Sequence, residues 1–252
     1  MRSSILLLGL LWSLTGDGQA QAKFQKPDLP LIASQVKDPQ SLHYYPYLYS
    51  RYLGGDTSLS VEDYIYLYYG SGFRDASDMD TGVMTAKLSL RDSISAVYQG
   101  KDSLTEADYL RLIPFYQAEL KADPFSIRYI TKLATAYRIT GQPALYRPYK
   151  YRLNTLLDAI LSTGDGRSVE TAWYVTQIAH EYDVIWALGL TFGGEQRLVG
   201  NMTCDYLTLA PNEYKLSGVY FNTEISMARL TEMLGGSKRE QPAGKRKGRK
   251  KN

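Results

Sequence analysis

The stretch Ser58-Leu59-Ser60-Val61-Glu62-Asp63-Tyr64-Ile65 recurs 45 residues later as Ser103-Leu104-Thr105-Glu106-Ala107-Asp108-Tyr109-Leu110. Each copy is written as a helix start. Ser60 and Thr105 stand at the N-cap, where a hydroxyl accepts from the amide three residues on. Asp63 and Asp108 stand at N3, the position from which an acid answers back to the cap and meets the positive end of the helix. Leu59 with Tyr64, and Leu104 with Tyr109, occupy the two places of a hydrophobic staple. Capping accounts for the repeated acids, so the repeat predicts structure rather than a site.

Working outward, helical spacing continues on both sides. Tyr45, Leu48, Tyr49 and Tyr52 fall at i, i+3, i+4 and i+7, and so do Val61, Tyr64, Ile65 and Tyr68. That is the spacing of a packed face. Asp123-Pro124 is expected to open a helix carrying Ile127, Ile130, Leu133, Ala134 and Tyr137, closed by Gly141. Pro143 restarts the chain into Leu145, Tyr149, Leu153, Leu156, Leu157 and Ile160. The order Leu133-Ala134-x-x-Tyr137-x-x-x-Gly141 resembles one tetratricopeptide hairpin; a single copy is too few for a stable array. Pro114 is expected to kink or end the preceding helix near Ile113.

After Thr163-Gly164-Asp165-Gly166 the texture changes. Ala172–Thr176, Tyr182–Leu188, Tyr206–Leu209 and Gly218–Phe221 read as strands, with Phe192-Gly193-Gly194-Glu195 as a turn. A closing helix is expected from Glu224 to Leu234. The fold class is α+β: an N-terminal helical layer with one tetratricopeptide-like hairpin, then a small antiparallel sheet and a C-terminal helix. The expected divisions are a signal peptide over 1–22, a helical region over 23–162, a β-meander plus helix over 163–234, and a disordered basic tail over 235–252.

The ends carry the charge. Arg2, the apolar run Ile5–Leu14 and the small-x-small Ala20-Gln21-Ala22 match an export signal. Ten apolar residues fall well short of the roughly 20 that span a bilayer, and no transmembrane segment is expected in the mature chain. Net charge is +3, yet residues 23–234 sum to −4 and residues 235–252 to +7. Lys245, Arg246, Lys247, Arg249, Lys250 and Lys251 dominate that tail and are its candidate contacts for an anionic polymer.

Chemistry is sparse between the ends. One cysteine and two histidines among 252 residues exclude a disulfide framework and a Cys-rich zinc site. His180-Glu181 begins like the zincin HExxH, but Val184 replaces the second histidine. Asp78-x-Asp80-x-Gly82 falls short of a calcium loop, which wants an oxygen ligand at Gly82 and a glutamate at Ser89. Cys204 reads as a small buried hydrophobe, and Asn201-Met202-Thr203 as a glycosylation sequon. Neither the nucleophile elbow GxSxG nor a phosphate-cradling loop is present. No catalytic residue, metal or cofactor is therefore assigned. Nine tyrosines lie between Tyr44 and Tyr69. Most belong to a packing seam, and Tyr44, Tyr47, Tyr66 and Tyr69 are the candidate aromatic surface for a sugar ring or peptide.

The run Tyr44-Tyr45-Pro46-x-Leu48-Tyr49-x-Arg51-Tyr52, then Gly55-Asp56-x-Ser58-Leu59-x-x-Glu62-Asp63-Tyr64-x-x-Leu67-Tyr68-Tyr69-Gly70, forms a pattern with Gly164-Asp165-Gly166-x-Ser168-x-Glu170-Thr171-Ala172, Glu181-Tyr182 and Tyr220-Phe221-Asn222. It resembles a family of exported Gram-negative bacterial proteins defined only as a domain of unknown function, over about Asp28 to Leu234. The resemblance implies export to the cell envelope and transfers no activity; the basic tail is not part of it. The expected role is an exported, non-enzymatic interaction module, periplasmic or extracellular, with an envelope protein or glycan as partner. The alternative is a carboxylate-dependent hydrolase of envelope glycan or peptide using two of Glu62, Asp63, Asp75, Asp78, Glu181 and Asp183.

Overall fold

The computed structural model describes residues 24–73, 94–95 and 97–236. The export-signal residues, the Asp75–Asp80 loop and the basic residues from Lys238 onward lie outside the described residues. In chain order the elements are α1 (Leu29–Gln35), α2 (Tyr45–Leu53), α3 (Val61–Gly70) with a 3-10 turn at Ser71–Phe73, α4 (Glu106–Ala122), α5 (Ile127–Ile139) and α6 (Pro143–Leu161). Then follow β1 (Trp173–Tyr174), α7 (Ile178–Ala187), β2 (Phe192–Val199), β3 (Cys204–Leu209), β4 (Gly218–Asn222) and α8 (Glu224–Gly236). This is an α+β fold, helices first.

Both repeated helix starts form reciprocal capping boxes. The Asp63 amide donates to Ser60 Oγ at 3.1 Å, and the Ser60 amide donates to Asp63 Oδ2 at 2.7 Å. Thr105 and Asp108 repeat the exchange at 3.3 and 3.0 Å. Aspartate thus performs the role usually given to glutamate. Lys101 Nζ adds an ion pair to Asp108 at 2.5 Å. That bond, with those from Thr105, holds the Asp108 carboxyl well below the usual carboxylate range.

Helix α4 does not end at Ile113 as Pro114 predicts; it runs on to Ala122. Proline deprives the Leu110 carbonyl of its donor, and Leu110 is exposed, so water can satisfy that oxygen. At α5 the helix starts at Ile127 rather than at Asp123-Pro124, which form the preceding turn. Helices α5 and α6 make the expected hairpin, with Gly141 at φ +64° in the link.

The sheet has the order β1-β4-β3-β2, with β2–β3 and β3–β4 antiparallel. The short β1 joins β4 in parallel, Trp173 opposite Phe221 and Tyr174 opposite Asn222. The sheet is therefore mixed rather than the expected antiparallel meander, and one strand and one turn expectation are also corrected. Tyr182–Leu188 lies largely in helix α7. Its buried positions His180, Glu181, Val184 and Ile185 follow a helical face, while Trp186 is exposed. Phe192-Gly193-Gly194-Glu195 is not a turn but the start of β2. Gly193 fits there because its neighbour strand comes close: a Cβ would stand 2.8 Å from Thr208 Oγ1.

One apolar cluster runs from Ile32 of α1 through Leu48, Leu67, Ile130 and Leu156 to Val184, Leu207, Phe221 and Ile225. The helical and β-rich textures of the sequence therefore share a core. A smaller cluster of Val97, Leu112, Tyr116, Leu133, Ala136 and Tyr137 sits between α4 and α5. Cys204 is buried in β3 as expected, and burial pushes its thiol up.

Candidate functional site

Helix α7 turns polar side chains inward. His180, Glu181 and Asp183 are all buried, and each meets a different element. A buried ionisable group is costly unless partnered, so the partners decide what these residues do.

His180 lies between Tyr68 of α3 and Asp123 of the α4–α5 turn. Its Nδ1 is 2.9 Å from Tyr68 Oη, and its Nε2 is 2.9 Å from Asp123 Oδ2. The Thr176 amide donates to Tyr68 Oη at 3.2 Å. The consistent assignment has the tyrosine hydroxyl donating to Nδ1 and the Nε2 proton donating to aspartate. Asp123 Oδ1 accepts from Gln177 Nε2 at 3.0 Å and from the Phe125 amide at 3.3 Å. The order Asp–His–Tyr has the shape of a nucleophilic relay. Its terminal hydroxyl belongs to a fully buried tyrosine, which burial pushes far above the ordinary phenol range. The three residues tie α3, the α4–α5 turn and α7 together.

Asp183 reaches α5. Its Oδ2 accepts from the Arg128 amide at 3.1 Å and Ser126 Oγ at 3.3 Å, and its Oδ1 pairs with Arg128 Nε at 3.0 Å. Ser126 makes no capping bond of its own. An acid from α7 thus caps the N-terminus of α5 from outside.

Glu181 faces β3 and β2. Gln196 Nε2 donates to Asp205 Oδ2 at 2.9 Å and to Glu181 Oε2 at 3.4 Å, and Tyr182 Oη donates to Gln196 Oε1 at 2.5 Å. Glu181 Oε1 receives no hydrogen bond from the described residues. Burial, with the Asp205 carboxylate beside it, pushes the Glu181 carboxyl up to about 9. At neutral pH Glu181 is a neutral acid positioned to donate to Asp205. Two carboxyl groups sharing one proton are the chemistry of a general acid paired with a base. Both are buried, with Gln196 as their solvent-side neighbour.

The four tyrosines of the expected aromatic surface fall in different surroundings, and none of them stacks on another. Tyr47 is 54% exposed, with the Arg51 guanidinium 5.6 Å from its ring centroid. Tyr66 is half-buried and stacks on His43 at 3.7 Å between centroids, and Tyr44 is half-buried nearby in sequence. Tyr69 is a correction: it is fully buried and donates to the Tyr174 carbonyl at 3.2 Å. Ending α3 against β1, its ring faces core. Of the six candidate acids, Asp75 and Asp78 lie outside the described residues, Asp63 is a cap, and Glu62 is exposed. Glu181 has its acidic neighbour, but that neighbour is Asp205. Asp205 shares a strand face with Leu207 and Leu209, and an acid in that alternation was the signal available in sequence. No group of three or more potential metal ligands occurs among the described residues.

A family model for a domain of unknown function, DUF4919, matches residues 30–232. The chain belongs to this family. No curated protein and no solved structure matches it.

The DUF4919 match takes in nearly all of α1 through α8, hence the whole α7 hub. Within it, the pattern residues noted in the sequence have structural work. Arg51 Nε pairs with Asp56 Oδ2 at 2.8 Å, and Ser58 donates to Asp56 Oδ1 from its amide at 2.8 Å and its hydroxyl at 2.6 Å. Those bonds, the Ser58 ones foremost, bring the Asp56 carboxyl down to about 2. Gly166, at φ +68°, lies under the Trp173 ring, where a Cβ would come within 2.8 Å. Trp173 Nε1 donates to the Gly164 carbonyl at 2.8 Å, and Asp165 Oδ1 accepts from Thr171 Oγ1 at 2.5 Å. This DUF4919 corner seats a buried tryptophan and starts the sheet.

Proposed function

We propose that the chain is an exported protein, periplasmic or extracellular, that works as a non-enzymatic interaction module of the cell envelope. One observation carries the reading: among the described residues, His180 and Asp183 are buried and bonded to structural partners and Glu181 is buried beside Asp205, whereas Tyr47 is exposed with the Arg51 guanidinium beside its ring. Tyr47 with Arg51, and Tyr66 stacked on His43, offer flat faces with a polar edge. Such faces suit the rings of an envelope glycan or the side chains of a peptide. The export-signal pattern over residues 1–22 supports delivery to that compartment. The cationic residues from Lys245 to Lys251 support a second, electrostatic contact with an anionic polymer.

The test is co-sedimentation of the purified full chain with washed envelope from its own host. Saturable binding that weakens about tenfold in Tyr47→Ala/Tyr66→Ala supports the aromatic surface, since two stacking contacts are together worth that much. Unchanged binding in that variant removes it. A second reading, a carboxylate-dependent hydrolase, draws support from Glu181 and Asp205, a neutral acid beside a second carboxyl. It needs substrate to displace Gln196 from above the pair.

A further inference from the structure

Strand β2 is the terminal strand of the sheet; its register against β3 shifts at a bulge between Phe192 and Gln196, and residues 193–198 are exposed. Its outer edge can be read from the bonds of its neighbours. Leu209 of β3 donates to the Ser217 carbonyl, and Thr203, just before β3, accepts from the Thr223 amide, so these alternate residues bond toward β4. Cys204 and Tyr206 therefore turn their main-chain groups to β2, where they face Val199 and Arg197. By alternation, Gln196 and Leu198 point their amides and carbonyls away from the sheet. The side chains sort in the same way. The Arg197 guanidinium lies 5.0 Å from the Tyr206 ring centroid on the outer face, and Gln196 turns inward to Asp205. Glu195, at the end of the bulge, keeps the parity of Arg197: its amide and carbonyl both bond to Thr208 Oγ1 of β3.

The exposed edge beyond the bulge is a template for another strand. The charges on it decide which. Antiparallel pairing of two β2 strands about Glu195 sets glutamate against glutamate, and pairing about Arg197 sets arginine against arginine. Pairing about Gln196 sets Glu195 against the partner's Arg197 and Arg197 against the partner's Glu195. Those are non-hydrogen-bonded positions, where opposed side chains come closest. In the same register Gln196 exchanges both main-chain bonds with the partner's Gln196. The arrangement is self-complementary, as a two-fold interface requires.

We propose that β2 is a homodimer edge: two copies join antiparallel strands about Gln196, continuing the sheet across a two-fold axis with reciprocal Glu195–Arg197 pairs. This goes beyond the interaction role and does not rest on it.

The test is sedimentation equilibrium of the full chain across a concentration series. Wild type is expected to dimerise. Arg197→Glu sets glutamate opposite glutamate at both positions and is expected to weaken the dimer by about tenfold or more. The swap Glu195→Arg/Arg197→Glu restores the opposite charges and is expected to return dimerisation to near wild type. Melting curves of all three check that the exposed changes leave the fold intact. A wild type that stays monomeric throughout, an Arg197→Glu variant that dimerises as well as wild type, or a swap that fails to recover overturns the proposal.

Discussion

Asp183 caps helix α5 from another helix: its carboxylate accepts from the Arg128 amide at 3.1 Å and pairs with Arg128 Nε at 3.0 Å. With His180 and Glu181 it makes α7 the polar tie between the helical layer and the sheet. Asp183→Asn keeps an acceptor for the amide but gives up the charge. It is expected to cost roughly 1–2 kcal/mol, and Asp183→Ala more, because the Arg128 amide and Ser126 hydroxyl lose their partner as well. Urea unfolding of the two variants measures the order.

Tyr68→Phe separates a tie from a relay. The change removes the hydroxyl between Thr176 and His180 and leaves a buried amide and a buried ring nitrogen unpartnered. A loss of about 1–3 kcal/mol is expected. His180→Phe removes the ring's bonds to both Tyr68 and Asp123 and is expected to cost at least as much, by the same measurement.

Glu181 predicts a pH dependence of definite sign. Its carboxyl sits at about 9 in the folded chain against an ordinary value of 4.5. Between those values the folded state holds a proton that the unfolded state releases, so this group makes stability fall as pH rises. Its contribution is fully present below the unfolded pKa and is lost by the time pH passes the folded one. Glu181→Gln keeps a donor toward Asp205 without needing the proton. The variant is expected to match wild type near pH 4 and to exceed it at pH 7 by roughly 1–3 kcal/mol, with the gap widening toward pH 9. Urea melts across that range read it directly.

Arg152 is buried between two aromatic rings, its guanidinium 4.4 Å from the Tyr52 centroid and 4.7 Å from that of Tyr149. It donates to the Tyr52 carbonyl and, at 3.1 Å, to that of Leu53, both at the negative end of α2. Arg152→Lys keeps the charge but not the flat, forked geometry. It is expected to lose roughly 1–2 kcal/mol, and Arg152→Ala about 3 kcal/mol or more, since packing goes too. Thermal unfolding of the pair checks the ranking.

Helix starts were legible in the sequence because a cap is a local device: Ser60 with Asp63 and Thr105 with Asp108 need no tertiary partner. The tyrosine seam was legible because Tyr45, Leu48 and Tyr52 obey one period. Helix α7 was not, because His180, Glu181 and Asp183 put polar groups at buried positions, leaving Tyr182, Val184, Trp186 and Leu188 to imitate a strand. Strand β2 escaped for the opposite reason. Both its faces meet solvent over residues 193–198, so it has no apolar alternation, and Gly193-Gly194 mimics a turn. Tyr69 was misplaced because its face of α3 is set by where β1 packs, which spacing within one helix does not reveal. The alternation of Asp205 with Leu207 and Leu209 marks a buried acid, but its pairing with Glu181 depends on α7 packing against the sheet, which no local pattern encodes.

In the proposed function, the buried acids of α7 serve the fold and the protein binds envelope material without cutting it. Release of soluble glycan or peptide fragments from purified envelope, compared between wild type and Glu181→Gln, tests this most directly. The account predicts bound protein and no fragment release above a protein-free control for either form. Fragment release by wild type that Glu181→Gln abolishes while remaining folded would contradict it.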